Sequence, residues 1–160
     1  MDSDSKLYID RAENELRLAE IVMKISLNQD LQVKFLEVNK VDTYFSSVIS
    51  HPYYSIFYTA KAYLMQKGII TKMPDEHKKT YKAFKRLVEH GVIDKELLVL
   101  YEEVLVKAEK LLGIFKVERM KRGDFTYKTL AQANREPTEE SLENAKIFLK
   151  NVYDLLQSKV

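Results

Sequence analysis

The chain has 160 residues, of which 46% are hydrophobic and 31% are charged, with a formal net charge of +2 at pH 7. This length favours a single domain with a buried core, and the small net charge means that any binding of nucleic acid must come from local clusters of cations. The absence of cysteine excludes disulfides, thiolate metal sites and cysteine nucleophiles.

The N-terminal residues and the length of the apolar runs bear on the cellular location of the chain. The first five residues, Met1 to Ser5, are polar and acidic, which is not the pattern of a signal peptide. No apolar run approaches the roughly 20 residues of a membrane span. We therefore expect a cytoplasmic protein without a membrane partner, formed by one helical domain over residues 1–160, with frayed ends at 1–5 and 157–160.

The first amphipathic pattern predicts a helix from Lys6 to about Leu27. Asp30 is a candidate cap for a short second helix through Leu36, with Val33 and Leu36 facing inward. The apolar stripe of the first helix recurs at steps of three and four and comprises Ile9, Ala12, Leu16, Ala19 and Met23, widened by Leu18, Val22 and Ile25.

The most aromatic segment of the chain predicts a helix within Tyr44 to Lys67, ended by Gly68. Pro52 should kink or break it, because proline removes one backbone hydrogen bond and its ring presses against the carbonyl of Val48. The candidate caps are Asp42 and Thr43, and the stripe after the proline comprises Tyr53, Phe57, Ala60 and Leu64.

Three further helices follow. The predicted boundaries are Asp75 as a cap for Glu76 to Glu89, Gly91 as its end, Asp94 as a cap for a long helix to about Arg122, Gly123 as the end of that helix, and Thr138 as the cap of the last one. No segment alternates with period two. The fold class is therefore predicted as all-α, an up-and-down antiparallel bundle of about five main helices plus a possible short one.

Several sequence motifs are missing. No two glycines have the spacing of a phosphate loop. None of the three histidines, His51, His77 and His90, follows a glutamate by three residues or has a histidine four residues away. We therefore predict no metal and no cofactor, and any activity must depend on the charged end of the long helix or on a cleft without a motif.

Cationic side chains are concentrated where the long helical pattern stops. Arg119 continues the heptad series Leu98, Leu105 and Leu112, so it should occupy a core-facing angle at the helix end. A cation there must find a partner, reach past the edge of the bundle or line a cleft. The competing interpretation is a solvated helix end, because the helix dipole favours cations in any case.

This helix end supplies most of the candidate site. Asp124 could orient Arg119 or act as a weak general base, or simply form a local turn bond after Gly123. His51 and His77 are further candidate acids or bases, although a lone histidine is more often structural. The catalytic candidates are thus Arg119, Asp124 and His51, and the nucleotide- or phosphate-binding candidates are Arg119, Lys121, Arg122, Tyr127 and Lys128.

Two other clusters have a functional and a structural interpretation. The lysines at 78, 79, 82 and 85 are interpreted as a solvated surface, with a phosphate-binding face as the alternative. The aromatic helix could stack bases, but tyrosines at helical spacing usually belong to cores and interfaces. Its candidate cleft or interface residues are Tyr53, Tyr54, Phe57, Tyr58 and Lys61.

The segment from Ser50 to Leu64, Ser-His-Pro-Tyr-Tyr-Ser-Ile-Phe-Tyr-Thr-Ala-Lys-Ala-Tyr-Leu, followed by His77 at the start of a helix, resembles the HEPN domain. So does Arg119 followed five positions later by Asp124. The resemblance covers roughly residues 6–156 and is greatest to small stand-alone prokaryotic HEPN proteins of an archaeal-like branch. It implies an all-α homodimer with a cleft between protomers.

Many HEPN proteins are RNases, often toxins paired with a nucleotidyltransferase-like antitoxin. Their hallmark is an arginine followed after four to six residues by a histidine. Here Arg119 matches the arginine, Asp124 stands in place of the histidine, and no histidine follows His90. An unperturbed aspartate is ionised near pH 7 and does not donate a proton.

Three functions remain open. The first is a binding module for a nucleotide, RNA or a partner protein such as a nucleotidyltransferase. The second is a metal-independent RNase of the HEPN type with an altered motif. The third is a structural homodimer without a ligand. We rank the first above the second because Asp124 replaces the histidine.

Overall fold

The computed structural model describes residues 1–38, 42–120 and 135–158, with only the backbone described for Ser46 and for 109–120. Within these residues it contains helices and no strand, so the predicted all-α fold class is confirmed. The helices are α1 Ser3–Leu27, a π-helical turn Leu31–Phe35, α2 Phe45–Val48, α3 Ser50–Gln66, α4 Glu76–Glu89, α5 Lys95–Met120 and α6 Arg135–Gln157.

Helix α1 follows the predicted apolar pattern closely. All five members of the predicted stripe, Ile9 to Met23, are buried. The helix begins at Ser3 because Asp2 caps it, its carboxylate accepting the Ser5 N–H at 2.7 Å. Ser5, inside the segment expected to fray, is buried and donates its hydroxyl to the Ala62 carbonyl at 3.2 Å. Leu18 does not widen the stripe, because 41% of it is exposed.

The segment after α1 differs from its prediction. It forms a π-helical turn in which Val33 and Leu36 are about half exposed, so their predicted inward orientation is wrong. The buried residue is Gln32, whose side-chain amide donates to the carbonyls of Ile25 and Asp42 and accepts the Asp42 N–H. A fully hydrogen-bonded amide is stable in this position because no polar group loses its partner. Asp30 makes no side-chain capping bond.

The interruption predicted at Pro52 is present. Helix α2 ends at Val48 and α3 begins at Ser50, so the helices part at Ile49, next to the carbonyl that the Pro52 ring would press against. No side chain caps either helix start, so neither Asp42 nor Thr43 acts as predicted.

Glycines end two of the helices. Gly68 has φ +74° and donates its N–H to Met65 O at 2.9 Å, while Ile69 N–H reaches Leu64 O at 2.9 Å, which is a Schellman motif. Gly91, with φ +69°, ends α4 in the same way. The positive φ suits glycine because it carries no Cβ.

Two predicted caps are not borne out. Asp75 does precede α4, but it has φ +59° and makes no capping hydrogen bond with its side chain. Helix α6 begins at Arg135, so Thr138 lies within the helix and is not its cap. The Thr138 hydroxyl is buried and donates instead to the Phe45 carbonyl at 3.1 Å. The predicted end of α5 at Gly123 lies outside the described residues.

The core joins α4, α5 and α6 through aromatic side chains. Phe84, Tyr101 and Phe148 are buried and contact one another with ring centroids 5.4 to 5.8 Å apart. Further apolar residues of α5 and α6 belong to this core: Leu97, Val104, Leu142, Ala145, Val152 and Leu156. Helices α1 and α3 form the most extensive helix pair of the described residues.

Contacts between helices define two ends of the bundle. At one end, which we call the α2 end, the Ser26 hydroxyl of α1 accepts the Tyr44 N–H, and Thr138 of α6 reaches Phe45. At the opposite end, the Gly68 end, Ser5 reaches Ala62 of α3. Helices α1 and α3 are therefore antiparallel.

The register of α5 against α6 places the end of α5. Asn144 donates to Glu103 at 2.8 Å, and Lys107 pairs with Glu140, so the two helices are antiparallel and residue 112 lies level with Arg135. Helix α5 continues to Met120, about two further turns or roughly 12 Å. The backbone of Arg119 therefore lies at the α2 end.

Candidate functional site

His51 has a partner that sequence reasoning missed. Its Nδ1 lies 2.7 Å from Glu15 Oε2 of α1, and both side chains are mostly buried. An ionised carboxylate only accepts hydrogen bonds, so Nδ1 carries a proton in this pair. In neutral imidazole this assigns the lone pair to Nε2, the state that a general base requires.

Glu15 also lines an open groove between α1 and α3. The groove has a volume of about 490 Å³ and is polar. Its cations, Arg11 and Arg17, are balanced by the carboxylates of Asp10 and Glu15. The remaining lining residues are Asn14 and Tyr58. The groove therefore combines donors, acceptors and one aromatic ring without a large net charge, and we call it the α1/α3 groove.

Arg11 is held in this groove by two aromatic rings. Its guanidinium carbon lies 5.6 Å from the centroid of Tyr8 and 5.9 Å from that of Tyr58, and the two rings stack at 6.1 Å. Within the described part of the chain Arg11 has no salt bridge, whereas Arg17 pairs with Glu13 at 3.4 Å. Arg11 is therefore positioned by cation–π contacts and not by a salt bridge within these residues.

The predicted aromatic cluster converges on His77. The His77 ring stacks on Phe57 with centroids 3.8 Å apart and lies 5.8 Å from Tyr54 in an edge-on contact. Its Nδ1 is 2.8 Å from the Tyr53 hydroxyl. Burial lowers the pKa of His77 below its ordinary value, and the charge of Lys61 lowers it further against the opposing effect of Glu76. His77 is thus a neutral packing residue near pH 7.

Lys61 is buried beside this cluster. Its ammonium group bonds Glu76 and lies 4.5 Å from the centroid of the Tyr8 ring. Burial acts to lower the pKa of Lys61, but the hydrogen bonds to Glu76 and Tyr8 outweigh it, so the pKa is raised. The ion pair of Lys61 and Glu76 connects α3 to the start of α4.

These contacts divide the predicted cleft or interface residues into buried residues and residues that reach the surface. Phe57 and Lys61 are buried within the chain itself, whereas 39% of Tyr54 is exposed and Tyr53 and Tyr58 are half-buried. The three tyrosines are therefore the members of the set that reach the surface. Their predicted place in an intersubunit cleft stays a prediction.

The predicted basic site is described only in part. Arg119 lies on the backbone of α5 at the α2 end, whereas His51, in the first turn of α3, pairs with Glu15 halfway along α1. The members of its heptad series with described side chains, Leu98 and Leu105, are partly buried. The other predicted residues of the site lie outside the described residues: Lys121, Arg122, Asp124, Tyr127 and Lys128.

The residues that sequence reasoning missed are Arg11, Glu15 and Arg17. They occupy the outward side of α1 and resemble an ordinary solvated helix face. His51 and Glu15 are 36 residues apart, so no local motif connects them. The only available signal was the spacing of Arg11 and Glu15, which are four residues apart and therefore adjacent on a helix.

Among the described residues no cluster of three or more His, Asp or Glu side chains could hold a metal ion. None of the helices within these residues is long and apolar enough to cross a membrane. No protein-family model, curated protein or solved structure matches this chain.

Proposed function

We propose that this chain is a HEPN-like module that binds the phosphates and bases of single-stranded RNA or of a nucleotide in the α1/α3 groove. The observation that supports this most directly is Arg11, held over two tyrosine rings without a carboxylate partner among the described residues. An arginine guanidinium binds a phosphate through two parallel hydrogen bonds, which suits it to this ligand class.

The neighbours of Arg11 supply the other elements of nucleotide recognition. Tyr58 provides a half-buried ring on which a base can stack, a contact that tolerates any base. Asn14 offers both a donor and an acceptor for a ribose hydroxyl or a base edge. Because acidic residues balance the arginines, the groove favours a short, positioned ligand over a long polyanion.

The predicted basic site extends this proposal. Arg119, Lys121, Arg122, Tyr127 and Lys128 are proposed as further phosphate ligands. If the chain forms the expected homodimer, two such sites would share one cleft between protomers. A nucleotidyltransferase-like protein is the proposed partner within a toxin–antitoxin pair.

Binding is tested with a fluorescently labelled single-stranded RNA and anisotropy. The Arg11→Ala variant should raise Kd roughly tenfold, the value of one charge-assisted hydrogen bond. Lys150→Ala removes an exposed cation of α6 and serves as the matched control, with Kd expected to stay within twofold. Equal Kd values for the wild type and Arg11→Ala would remove the groove from the proposal.

The pair of His51 and Glu15 favours a second candidate, the metal-independent RNase. In such a reaction His51 would take the proton of the ribose 2′-hydroxyl as its oxygen bonds to the adjacent phosphorus. The P–O5′ bond would break, and the leaving 5′-oxygen would take a proton from solvent water. Glu15 would hold the imidazole in the required tautomer. The product would carry a 2′,3′-cyclic phosphate.

This candidate is tested by incubating RNA with the protein in EDTA. Wild-type protein should cut, whereas His51→Ala and Arg119→Ala should not, and His90→Ala, which alters an exposed histidine, should cut normally. Intact RNA after incubation with wild-type protein rejects catalysis but leaves the binding proposal standing.

The third candidate is a homodimer with a purely structural role. Light scattering distinguishes it, because a monomer in solution removes this candidate and the shared cleft together. A dimer that binds no RNA and cuts none would favour it.

A further inference from the structure

A second surface, on α4, is almost uniformly basic. Helical spacing places five of its cations within an arc of roughly 120°. The buried residues Thr80, Phe84 and Val88 face the opposite side. The cations of the arc are Lys78, Lys79, Lys82, Lys85 and Arg86.

The loop before α4 adds apolar tips to this surface. Ile70 is 62% exposed and Met73 is 78% exposed, the latter being the most exposed large apolar side chain of the described residues. Together with Lys72 and the outward side of α4 they line a groove of about 610 Å³ that contains no carboxylate. We call the basic arc and this loop the α4 face.

Little of the charge on the α4 face is neutralised within the chain. Lys85 pairs with Glu102 at 3.8 Å, and the Lys79 ammonium donates to the Lys72 carbonyl at 3.2 Å. For Lys78, Lys82 and Arg86 the described part of the chain provides no salt bridge. One carboxylate shares the arc: Glu89, in the last turn of α4, lies one turn beyond Lys85 and Arg86 and within their angular range. Asp75 precedes the helix, and Glu76 is bonded to Lys61.

We propose that the α4 face binds the surface of an anionic lipid bilayer. The cations would lie at the level of the lipid phosphates, and Ile70 and Met73 would enter the layer between headgroups and acyl chains. Basic residues near an anionic surface attract it additively, and shallow apolar contacts add to the affinity. This proposal departs from the sequence prediction of no membrane partner, which rested on the absence of a spanning helix; peripheral binding does not need one.

The composition of the face favours a bilayer over two other polyanions. RNA would use the cations but leave Ile70 and Met73 exposed to water, and the groove contains no aromatic ring for stacking bases. An acidic polypeptide would also use the charges. The bilayer accounts for the exposed apolar tips and for the width of the basic arc together.

Helix α4 itself does not enter the bilayer in this proposal. Its apolar side is occupied by the core, where Phe84 contacts Tyr101 and Phe148. Only the loop carries apolar groups into the lipid, so the attachment is peripheral and reversible. It should weaken as salt rises, because it depends on long-range attraction between charges.

The test is sedimentation of the full chain with vesicles of phosphatidylcholine, with or without phosphatidylserine. We expect binding to the anionic vesicles and none to the neutral ones. The Lys79→Glu/Lys82→Glu variant should lower partitioning at least roughly 25-fold, because each basic residue near the surface contributes about fivefold. The Ile70→Ser/Met73→Ser variant should weaken binding while leaving the charge unchanged.

The matched control is Lys24→Glu/Lys150→Glu, which makes the same charge change at exposed positions on α1 and α6. Its partitioning should remain near that of the wild type. An equal loss in this control would reduce the effect to net charge, and equal binding to neutral vesicles would reject the proposal. The same variants are also tested with labelled RNA and with polyglutamate. If Lys79→Glu/Lys82→Glu weakens the binding of one of these ligands but not of vesicles, the α4 face binds that ligand and the lipid proposal fails.

Discussion

The α1/α3 groove and the α4 face differ in how their charged side chains are arranged. In the groove, arginines and carboxylates alternate, and the key side chains are positioned by neighbours: Arg11 by two tyrosines and His51 by Glu15. On the α4 face, mostly positively charged side chains project from one side of a helix, and few of them have a salt-bridge partner. The first arrangement suits a ligand of defined shape, whereas the second suits an extended anionic surface.

The difference follows from what lies beneath each surface. The groove lies on the most extensive helix pair, and its residues contact rings that belong to that pair. The α4 face is attached to the rest of the bundle by the buried side of a single helix and by polar contacts of Glu76 with Lys61, of His77 with Tyr53 and of Tyr81 with Glu102. Changes to those attachments should therefore affect α4 first.

The largest expected effect is at Phe84, which anchors α4 in the core. Phe84→Ala removes a fully buried ring that contacts three other aromatic residues, so the free energy of unfolding should fall by about 3–5 kcal/mol. Urea denaturation measures it. Phe35→Ala is the control, because Phe35 is 76% exposed and its removal should change stability by no more than about 0.5 kcal/mol. Similar losses in both variants would contradict the assigned core.

The next effect is at Lys61. Lys61→Met leaves the mostly buried carboxylate of Glu76 without its cation, and the free energy of unfolding should fall by about 2 kcal/mol. The Lys61→Met/Glu76→Gln variant removes the unpaired charge and should recover part of that loss. A double-mutant cycle in urea measures the coupling, and additive losses would show that the two residues act independently.

A smaller effect should separate the two surfaces by their salt dependence. RNA held in the groove by one phosphate contact to Arg11 should show a slope of about −0.7 in log K against log salt. Vesicle binding by the α4 face should fall more steeply, since more cations take part. Anisotropy and sedimentation over the same salt series measure both, and identical slopes would mean that one surface binds both ligands.

A change of opposite sign is expected at Tyr101. Its hydroxyl is buried without a hydrogen-bond partner among the described residues, and burial raises its pKa. Tyr101→Phe removes that unsatisfied group with the ring left in place, so stability should rise by about 1 kcal/mol. Thermal unfolding measures it. A loss of stability would mean that the hydroxyl has a partner outside the described residues.

The smallest effect is a pH dependence at His77. Its pKa is lowered in the folded chain, so the unfolded chain binds the proton more readily. The contribution of His77 is therefore complete above its ordinary pKa near 6.5 and is lost as the pH falls from there towards the lowered value. His77→Phe should flatten this part of the stability–pH curve, and His90→Phe, at an exposed position, should not.

The sequence predicted those parts of the fold that depend on repeated spacing. The α1 stripe from Ile9 to Met23, the helix ends at Gly68 and Gly91, and the break near Pro52 follow from local rules that act within a few residues. The burial of Gln32 was not predicted, because hydrophobic periodicity identifies only apolar residues. Its buried amide is stabilised by backbone groups 7 and 10 residues away. The buried contact of Thr138 was not predicted, because its partner, Phe45, is 93 residues away in the sequence.

The candidate site was predictable to a smaller extent. The sequence indicated His51 and Tyr58, but not the side chains of α1 beside them, because a solvated helix face and a binding groove look alike until a second helix packs against one edge. Arg119 was indicated by its heptad position, and the register of α5 against α6 places its backbone at the α2 end.

The Phe45 carbonyl has a consequence for measuring motion in this bundle. It accepts the Ile49 N–H at 3.2 Å and the Thr138 hydroxyl at 3.1 Å, so one oxygen joins the break between α2 and α3 to the first turns of α6. The exchange of the Ile49 amide with deuterium therefore reports the opening of this junction. A ligand that displaces the start of α6 should change the exchange rate of an amide that it never touches.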